Sequence, residues 1–199
     1  MKTFETHTHA KNLRNLLEGL AQGVSLSAML LATLAVSACA PDTSRLGTAP
    51  TLPAGAQNLT PQQQQQIVTL SGTYLTRISK VDAYTGQVTG TQDARITLNA
   101  QTPTVQIETN GAIGSLNETR AASIGFYSST NAYTVLSAPI SQSAFSSSAF
   151  AVELILTANA QGQVDLSHSR AYVRDCQYAG ATSCSTLSQQ LRFDTTLTK

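Results

Sequence analysis

Residues able to do chemistry are few enough in this chain to be taken one at a time. Beyond the first forty positions there is a single histidine, His168, with Asp165, Ser167 and Ser169 beside it. A nucleophilic triad needs a base against a serine and an acid that orients the base. Neighbouring residues on a strand point to opposite faces, so these side chains cannot all converge, and an exposed strand histidine is the simpler account. Nothing resembles a G-x-S-x-G nucleophile elbow. Glu108, Glu118, Glu153, Asp165 and Asp175 stand singly. A paired-carboxylate hydrolase would need the fold to bring two of them together. The chain contains no P-loop, no GxGxxG and no zinc signature, so neither a cofactor nor a metal is expected.

The positive side chains give one candidate cluster. Arg170, Arg174 and Arg192 can share a sheet face with His168. Such a patch could hold an anion, a glycan phosphate or a lipid headgroup. The alternative is a solvated outer face neutralised by Asp175 and Asp194.

Three cysteines are present: Cys39, Cys176 and Cys184. The last two flank Gln-Tyr-Ala-Gly-Ala-Thr-Ser, a segment with a turn at its centre. A pair of this kind in an exported chain suggests a disulfide, worth about 2–3 kcal/mol for so short a loop in the chain-entropy picture. The spacing excludes a CxxC redox motif. If Cys176 faces Cys184 across a hairpin, Val173 opposes Leu187 and Ser169 opposes Leu191. Val173, Ala171, Leu187, Leu191, Phe193 and Leu197 then form an apolar face. Tyr172, Arg170, Arg174, His168, Arg192 and Asp194 take the other, with Asp194 diagonal to His168.

These residues need elements to hold them. Thr60, Pro61 and Gln63 make a helix start, with Thr60 as cap and Gln63 completing a capping box. Gly72 ends that short helix, which passes through the glutamine run 62–66. From there the apolar period is two. Strands are expected over Thr73–Val81, Ala94–Asn99, Thr104–Thr109, Ala122–Ser128, Tyr133–Ser137, Phe150–Ala158, Val164–Arg174 and Gln189–Thr198. Thr85-Gly86, Thr89-Gly90, Asn110-Gly111, Asn131 and Asn159 to Gly162 supply turns, and residues 137–148 read as a polar loop. No stretch is helical enough to cross between parallel strands. The fold class is therefore all-β, an antiparallel meander forming a sandwich or a small barrel. Its core draws on Ile, Leu and Val with Phe126, Phe150 and Phe193.

Ahead of this domain lies a different kind of sequence. Lys2, Lys11 and Arg14 precede a stretch without charge from Gly19 to Pro41, whose apolar heart is Val24 to Ala38. That is the layout of a secretory signal peptide. It ends in Val36-Ser37-Ala38-Cys39, which resembles the lipobox of bacterial lipoproteins. The resemblance implies cleavage before Cys39, a diacylglycerol on its thiol and an acyl chain, such as palmitate, on its freed amine. Two or more chains give stable membrane residence. Ala40, where an Asp would favour inner-membrane retention, points to the outer membrane, with the domain on the periplasmic face or at the cell surface. A chance small-small-Cys match is opposed by its place at the end of the apolar run, and two further alternatives stay open. One is an uncleaved span over Leu20–Ala38, weakened by Gln22, Gly23, Ser25, Ser27 and Ser37. The other is ordinary signal-peptidase cleavage at the pattern around Ala38-Cys39-Ala40, which Pro41 opposes.

The organisation expected is thus a lipoprotein signal peptide over residues 1–38, a flexible Pro- and Gly-bearing tether over 39–60, and one β-rich domain over 61–199. Charged residues are 12% of the chain, with a net charge of +1. That excludes a chain-wide basic surface for nucleic acid. The leading expectation is a lipid-anchored envelope protein that binds or scaffolds an envelope protein, glycan or lipid, with catalysis disfavoured. The alternatives are a lipocalin-like carrier of a small apolar ligand and an envelope hydrolase.

Overall fold

The structure is a computed structural model, and it describes residues 46–141, 149–178, 180–194 and 196–199. The described chain opens with an extended strap, residues 46–57, followed by helix α1 (Pro61–Thr69). The nine strands described are β1 (Gly72–Val81), β2 (Val88–Asn99), β3 (Thr104–Thr109), β4 (Leu116–Tyr127), β5 (Ala132–Ser137), β6 (Phe150–Thr157), β7 (Arg170–Asp175), β8 (Thr186–Leu187) and β9 (Leu191–Phe193).

Helix α1 begins where its chemistry says it should. The Thr60 hydroxyl accepts from the Gln63 amide at 3.3 Å, and the Gln63 side chain accepts from the Thr60 amide at 2.9 Å. Pro61 follows the cap, where its missing N–H leaves no helical bond unmade. Ile67 and the C-cap residue Leu70 are buried, so the helix leans on the sheet through one narrow stripe. The hydroxyls of Tyr74 and Tyr133 tie it down, donating to the Leu70 carbonyl and to the Gln66 side chain.

Every strand pairing is antiparallel. The order is β8-β7-β6-β5-β4-β3-β2-β1-β9, a meander whose last strand returns to the free edge of β1. The sheet curls into a half-barrel, and its strands all belong to one sheet rather than to a two-sheet sandwich. Inward residues alternate along the strands. Tyr74, Ile78, Ile96, Leu98, Ile107, Tyr133, Val135, Phe150, Val152, Leu154 and Leu156 fill the concave side. Strand β3 shows the cleanest alternation, with Val105, Ile107 and Thr109 buried and the residues between them partly exposed.

Strands β5 and β6 are buried on both faces. Their second face carries a smaller cluster of Leu136, Ala149, Ala151, Cys176, Ala181 and Cys184. The disulfide loop lies over this cluster, and the strap runs beside it. Leu46 accepts from the Ala121 amide at 2.8 Å, the Ser123 hydroxyl donates to the Pro50 carbonyl, and Gln57 bridges to Phe126. Over its described part, 46–60, the segment expected as a flexible tether is therefore laid along the sheet. Its prolines and glycines suit a strand-like strap with tight bends as well as they suit a linker.

Several local expectations are corrected. Thr89-Gly90 is not a turn: it lies in β2, where Thr89 is the extra residue between the Lys80–Gly90 and Val81–Val88 pairs. Gly90 packs closely there, since a Cβ would come 3.2 Å from the Ile113 side chain. The strand expected over Val164–Arg174 is interrupted. Val164 bridges to Ala158, a turn at Asp165 intervenes, and β7 starts at Arg170. The strand expected over Gln189–Thr198 is reduced to residues 191–193, which pair with β1, and a bridge from Thr198 to Leu75, while residues 186–187 before it pair with β7.

The register around the disulfide is also one residue away from expectation. Arg174 opposes Leu187, and Asp175 opposes Thr186. Ser185 is the extra residue between Cys184 and the ladder, and its carbonyl is held by Arg174 at 2.7 Å. The slip turns Leu187 outward, to 51% exposure. Ser169 does not oppose Leu191, which instead faces Lys80 of β1. Val173, Ala171, Leu191, Phe193 and Leu197 are buried as the sequence suggests.

Candidate functional site

Cys39 and the whole Val36-Ser37-Ala38-Cys39 segment lie outside the described residues. Among the described residues, no helix is long and apolar enough to cross a membrane. Cys176 and Cys184 form a disulfide, with their Cα atoms 4.4 Å apart.

His168 sits on an exposed turn rather than in a cleft. Its Nδ1 is 2.7 Å from Asp165 Oδ2 and 3.0 Å from Ser167 Oγ. Ser167 in turn donates to Asp165 Oδ1 at 2.5 Å. Serine and acid therefore meet the same ring nitrogen, whereas a relay needs them on opposite nitrogens. The imidazole is 73% exposed. The cluster works as a turn cap: Asp165 also accepts from the Ser167 amide at 3.1 Å. The Ser167 hydroxyl, then His168, holds the Asp165 carboxyl down to about 2. Asp165 takes the place expected for Asp194, which instead donates its amide to Arg77 on β1.

The arginines are divided among separate tasks. Arg174 binds Glu153, Nε to Oε2 at 2.6 Å, and the Ser185 carbonyl. Arg170 donates to the carbonyls of Ser167 and Ser169, both at 2.7 Å. Arg192 is carried by β9, opposite Ser79 of β1. Arg170 and Arg174 share the outer face of β7, but Arg174 is already neutralised there.

The isolated acids stay isolated. Glu108 faces Arg95 at 3.7 Å, Glu118 faces Arg120 at 3.0 Å, and Glu153 faces Arg174. Among the described residues, no group of three or more His, Cys, Asp or Glu could hold a metal. Glu153 is the polar residue that strand spacing alone leaves unexplained. It sits between the apolar Val152 and Leu154 of β6, fully buried, and accepts from Thr134 at 2.8 Å as well as from Arg174. Burial, followed by the Glu153 charge, pushes the nearby Tyr127 phenol up.

A feature with room for a ligand lies elsewhere. A groove of about 800 Å³ runs over the outer side of β1–β4, bounded by the C-terminal segment. One cross-strand row crosses it: Leu75 opposite Arg95, Arg95 opposite Glu108, and Glu108 opposite Asn117. Arg77 and Asp93 form a second rung beside this row. Leu75 is 42% exposed, and Ala94, Leu116, Thr76 and Thr109 also line the groove. Both charge pairs are loose, with the Arg77–Asp93 contact at 3.7 Å like that of Arg95–Glu108. Such exposed pairs contribute about 0–1 kcal/mol, so a ligand can re-pair them at little cost. Asp194, Thr196 and Thr198 form the remaining wall. The sequence carries only a faint signal for this site, the single apolar Leu75 among outward polar residues of β1.

No known protein family matches the chain, and neither the curated proteins nor the solved structures contain a match to it.

Proposed function

We propose that this protein is a lipid-anchored resident of the cell envelope whose β-rich domain binds or scaffolds an envelope partner through the groove on β1–β4. The anchor is Cys39, acylated after removal of residues 1–38, and the membrane is the outer one. The lipobox-like Val36-Ser37-Ala38-Cys39 behind the apolar run Val24–Ala38 supports this part of the reading.

The observation that carries the binding reading is the groove itself. It is open, has an exposed leucine on its floor and is rimmed by loosely paired charges of both signs. Leu75 is its exposed apolar contact, and charges of both signs beside it are the polar contacts an interface uses. The large side chains filling the concave side favour a surface groove over an internal carrier cavity. The one-sided arrangement at His168 favours binding over hydrolysis.

The test uses the full-length protein made in its own envelope, with a photo-crosslinking amino acid at Leu75. A discrete crosslinked envelope component is expected, and Arg95→Glu should remove it. Wild-type protein should fractionate with membranes and carry acyl mass on its N-terminal peptide, whereas Cys39→Ala should move it to the soluble fraction. An unmodified Cys39 overturns the anchor. Crosslinking that Arg95→Glu leaves unchanged, or no crosslink at all, overturns the groove.

A further inference from the structure

Two segments bonded to each other lie on the outer side of the sheet, one over β5 and β6 and one along β4. One is the disulfide loop, which places Cys176, Ala181 and Cys184 on Leu136, Ala149 and Ala151. The other is the strap. The amide and the hydroxyl of Thr51 both donate to the carbonyl of Thr182, at 2.8 and 2.9 Å. Thr182 lies inside the loop that Cys176 and Cys184 close. The strap's middle is thus bonded to a segment that the disulfide holds in place.

The base of that loop is closed by the two-residue β7–β8 ladder and by Arg174 on the Ser185 carbonyl, whereas its interior has few described contacts. Cys176 donates to the Ala149 carbonyl at 2.9 Å, and Ala181 donates to the Tyr178 carbonyl at 3.0 Å. Its described residues contain no regular structure, and Tyr178 is presented to solvent. The apolar contacts it makes are with small side chains, so each gives little burial. Without the cross-link, only the short ladder and Arg174 restrain the loop at its base, and the segment around Thr182 gains freedom.

We infer that the Cys176–Cys184 disulfide is a latch on the strap. The chemistry is thiol–disulfide exchange with a dithiol reductant. A thiolate of the reductant attacks one sulfur and forms a mixed disulfide, and the other cysteine leaves as a thiolate. The reductant's second thiol then displaces the remaining cysteine. Two electrons and two protons pass to the protein, and the reductant becomes a disulfide. Both cysteines are buried, so attack follows opening of the loop, and the latch answers to sustained reducing conditions.

Release of the strap has a geometric consequence, which rests on the proposed acylation of Cys39. Leu46, where the docked strap begins, follows Cys39 by seven residues, a separation of at most about 25 Å of chain. With the strap released as far as Gln57, the connection lengthens to at most about 65 Å. The disulfide would then set how far from the membrane the groove can reach.

The experiment is hydrogen exchange on the full chain, oxidised and after treatment with dithiothreitol, comparing residues 46–57 with β2 and β3. Exchange in 46–57 should accelerate at least tenfold on reduction while Ile96 and Ile107 keep their protection. The Cys176→Ser/Cys184→Ser variant should reproduce this without reductant. A Thr51→Pro variant removes the amide and hydroxyl donors with the disulfide intact, and should free the strap in oxidised protein. Unchanged strap exchange on reduction overturns the latch. So does equal loss of protection in β2 and β3, which would make the disulfide a staple of the whole domain. None of these readouts depends on acylation, so failure of the anchor, read from the mass of the Cys39 peptide, is seen separately.

Discussion

Arg174 closes on Glu153 with Nε 2.6 Å from Oε2, and the carboxylate is wholly buried while the guanidinium keeps 19% of its side chain exposed. The pair joins β7 to β6 from the outer side, beneath the disulfide loop. Thr134 satisfies the second carboxylate oxygen, and Ser185 accepts from the guanidinium. An ion pair this enclosed loses most of its hydration, and its attraction roughly offsets that loss.

Removing one partner therefore differs sharply from removing both. Arg174→Met leaves an uncompensated carboxylate at zero exposure and should destabilise the domain by about 3 kcal/mol. The double variant Glu153→Leu/Arg174→Met should recover most of that loss. Urea denaturation of the three proteins measures both values. A double variant no more stable than Arg174→Met would mean that the pair's hydrogen bonds, rather than its charge balance, hold the strands together.

Asp165 sets an acid limit on its turn. Its carboxyl is held down to about 2 by the Ser167 hydroxyl and by His168, against an ordinary value of 3.8. A carboxyl with a lowered folded pKa contributes stability that is complete above about 4 and is lost as pH falls through about 2. Asp165→Asn should flatten the stability profile in that window. Ser167→Ala should bring the Asp165 titration, followed by carboxyl NMR, back toward its ordinary value. Because the turn is exposed, the effect should be local to residues 165–169 rather than global.

The strap can be tested where it presses closest. A Cβ on Gly125 would lie 2.9 Å from the Leu52 side chain and 3.1 Å from the Gln57 carbonyl. Gly125→Ala should cost about 1–3 kcal/mol by overpacking. Leu52→Ala in the same chain relieves the side-chain clash but not the one with the backbone, so recovery should be partial. Thermal melts of the single and double variants give the comparison. Full tolerance of Gly125→Ala would show that residues 46–57 do not hold this position in solution.

Local chemistry was the legible part of this sequence. Thr60, Pro61 and Gln63 mark the helix start because a capping box is complete within four residues. The β3 bounds follow from an unbroken alternation between two turns. What escaped depends on distant partners or on a single extra residue. Ser185 shifts the β7–β8 ladder by one, and nothing in its type announces this. Residues 46–57 resemble a linker in composition, yet they are ordered by contacts with Ala121, Ser123, Phe126 and Thr182. Glu153 looks like a lone acid until β7 brings Arg174 alongside. Asp194 could be drawn next to His168 only by assuming that β7 and β9 pair, whereas β9 pairs with β1.

That one-residue shift has its own test. With Leu187 facing out opposite Arg174, Leu187→Ser should change stability by less than about 0.5 kcal/mol, as for other exposed positions. Val173, one residue before Arg174, points into the core, and Val173→Ala should cost about 2 kcal/mol through lost burial and the cavity left behind. The alternative register, with Val173 opposite Leu187, makes both side chains part of the apolar face and predicts that both substitutions are costly. Chemical denaturation of the two single variants separates the cases, because only an outward Leu187 makes one of them neutral.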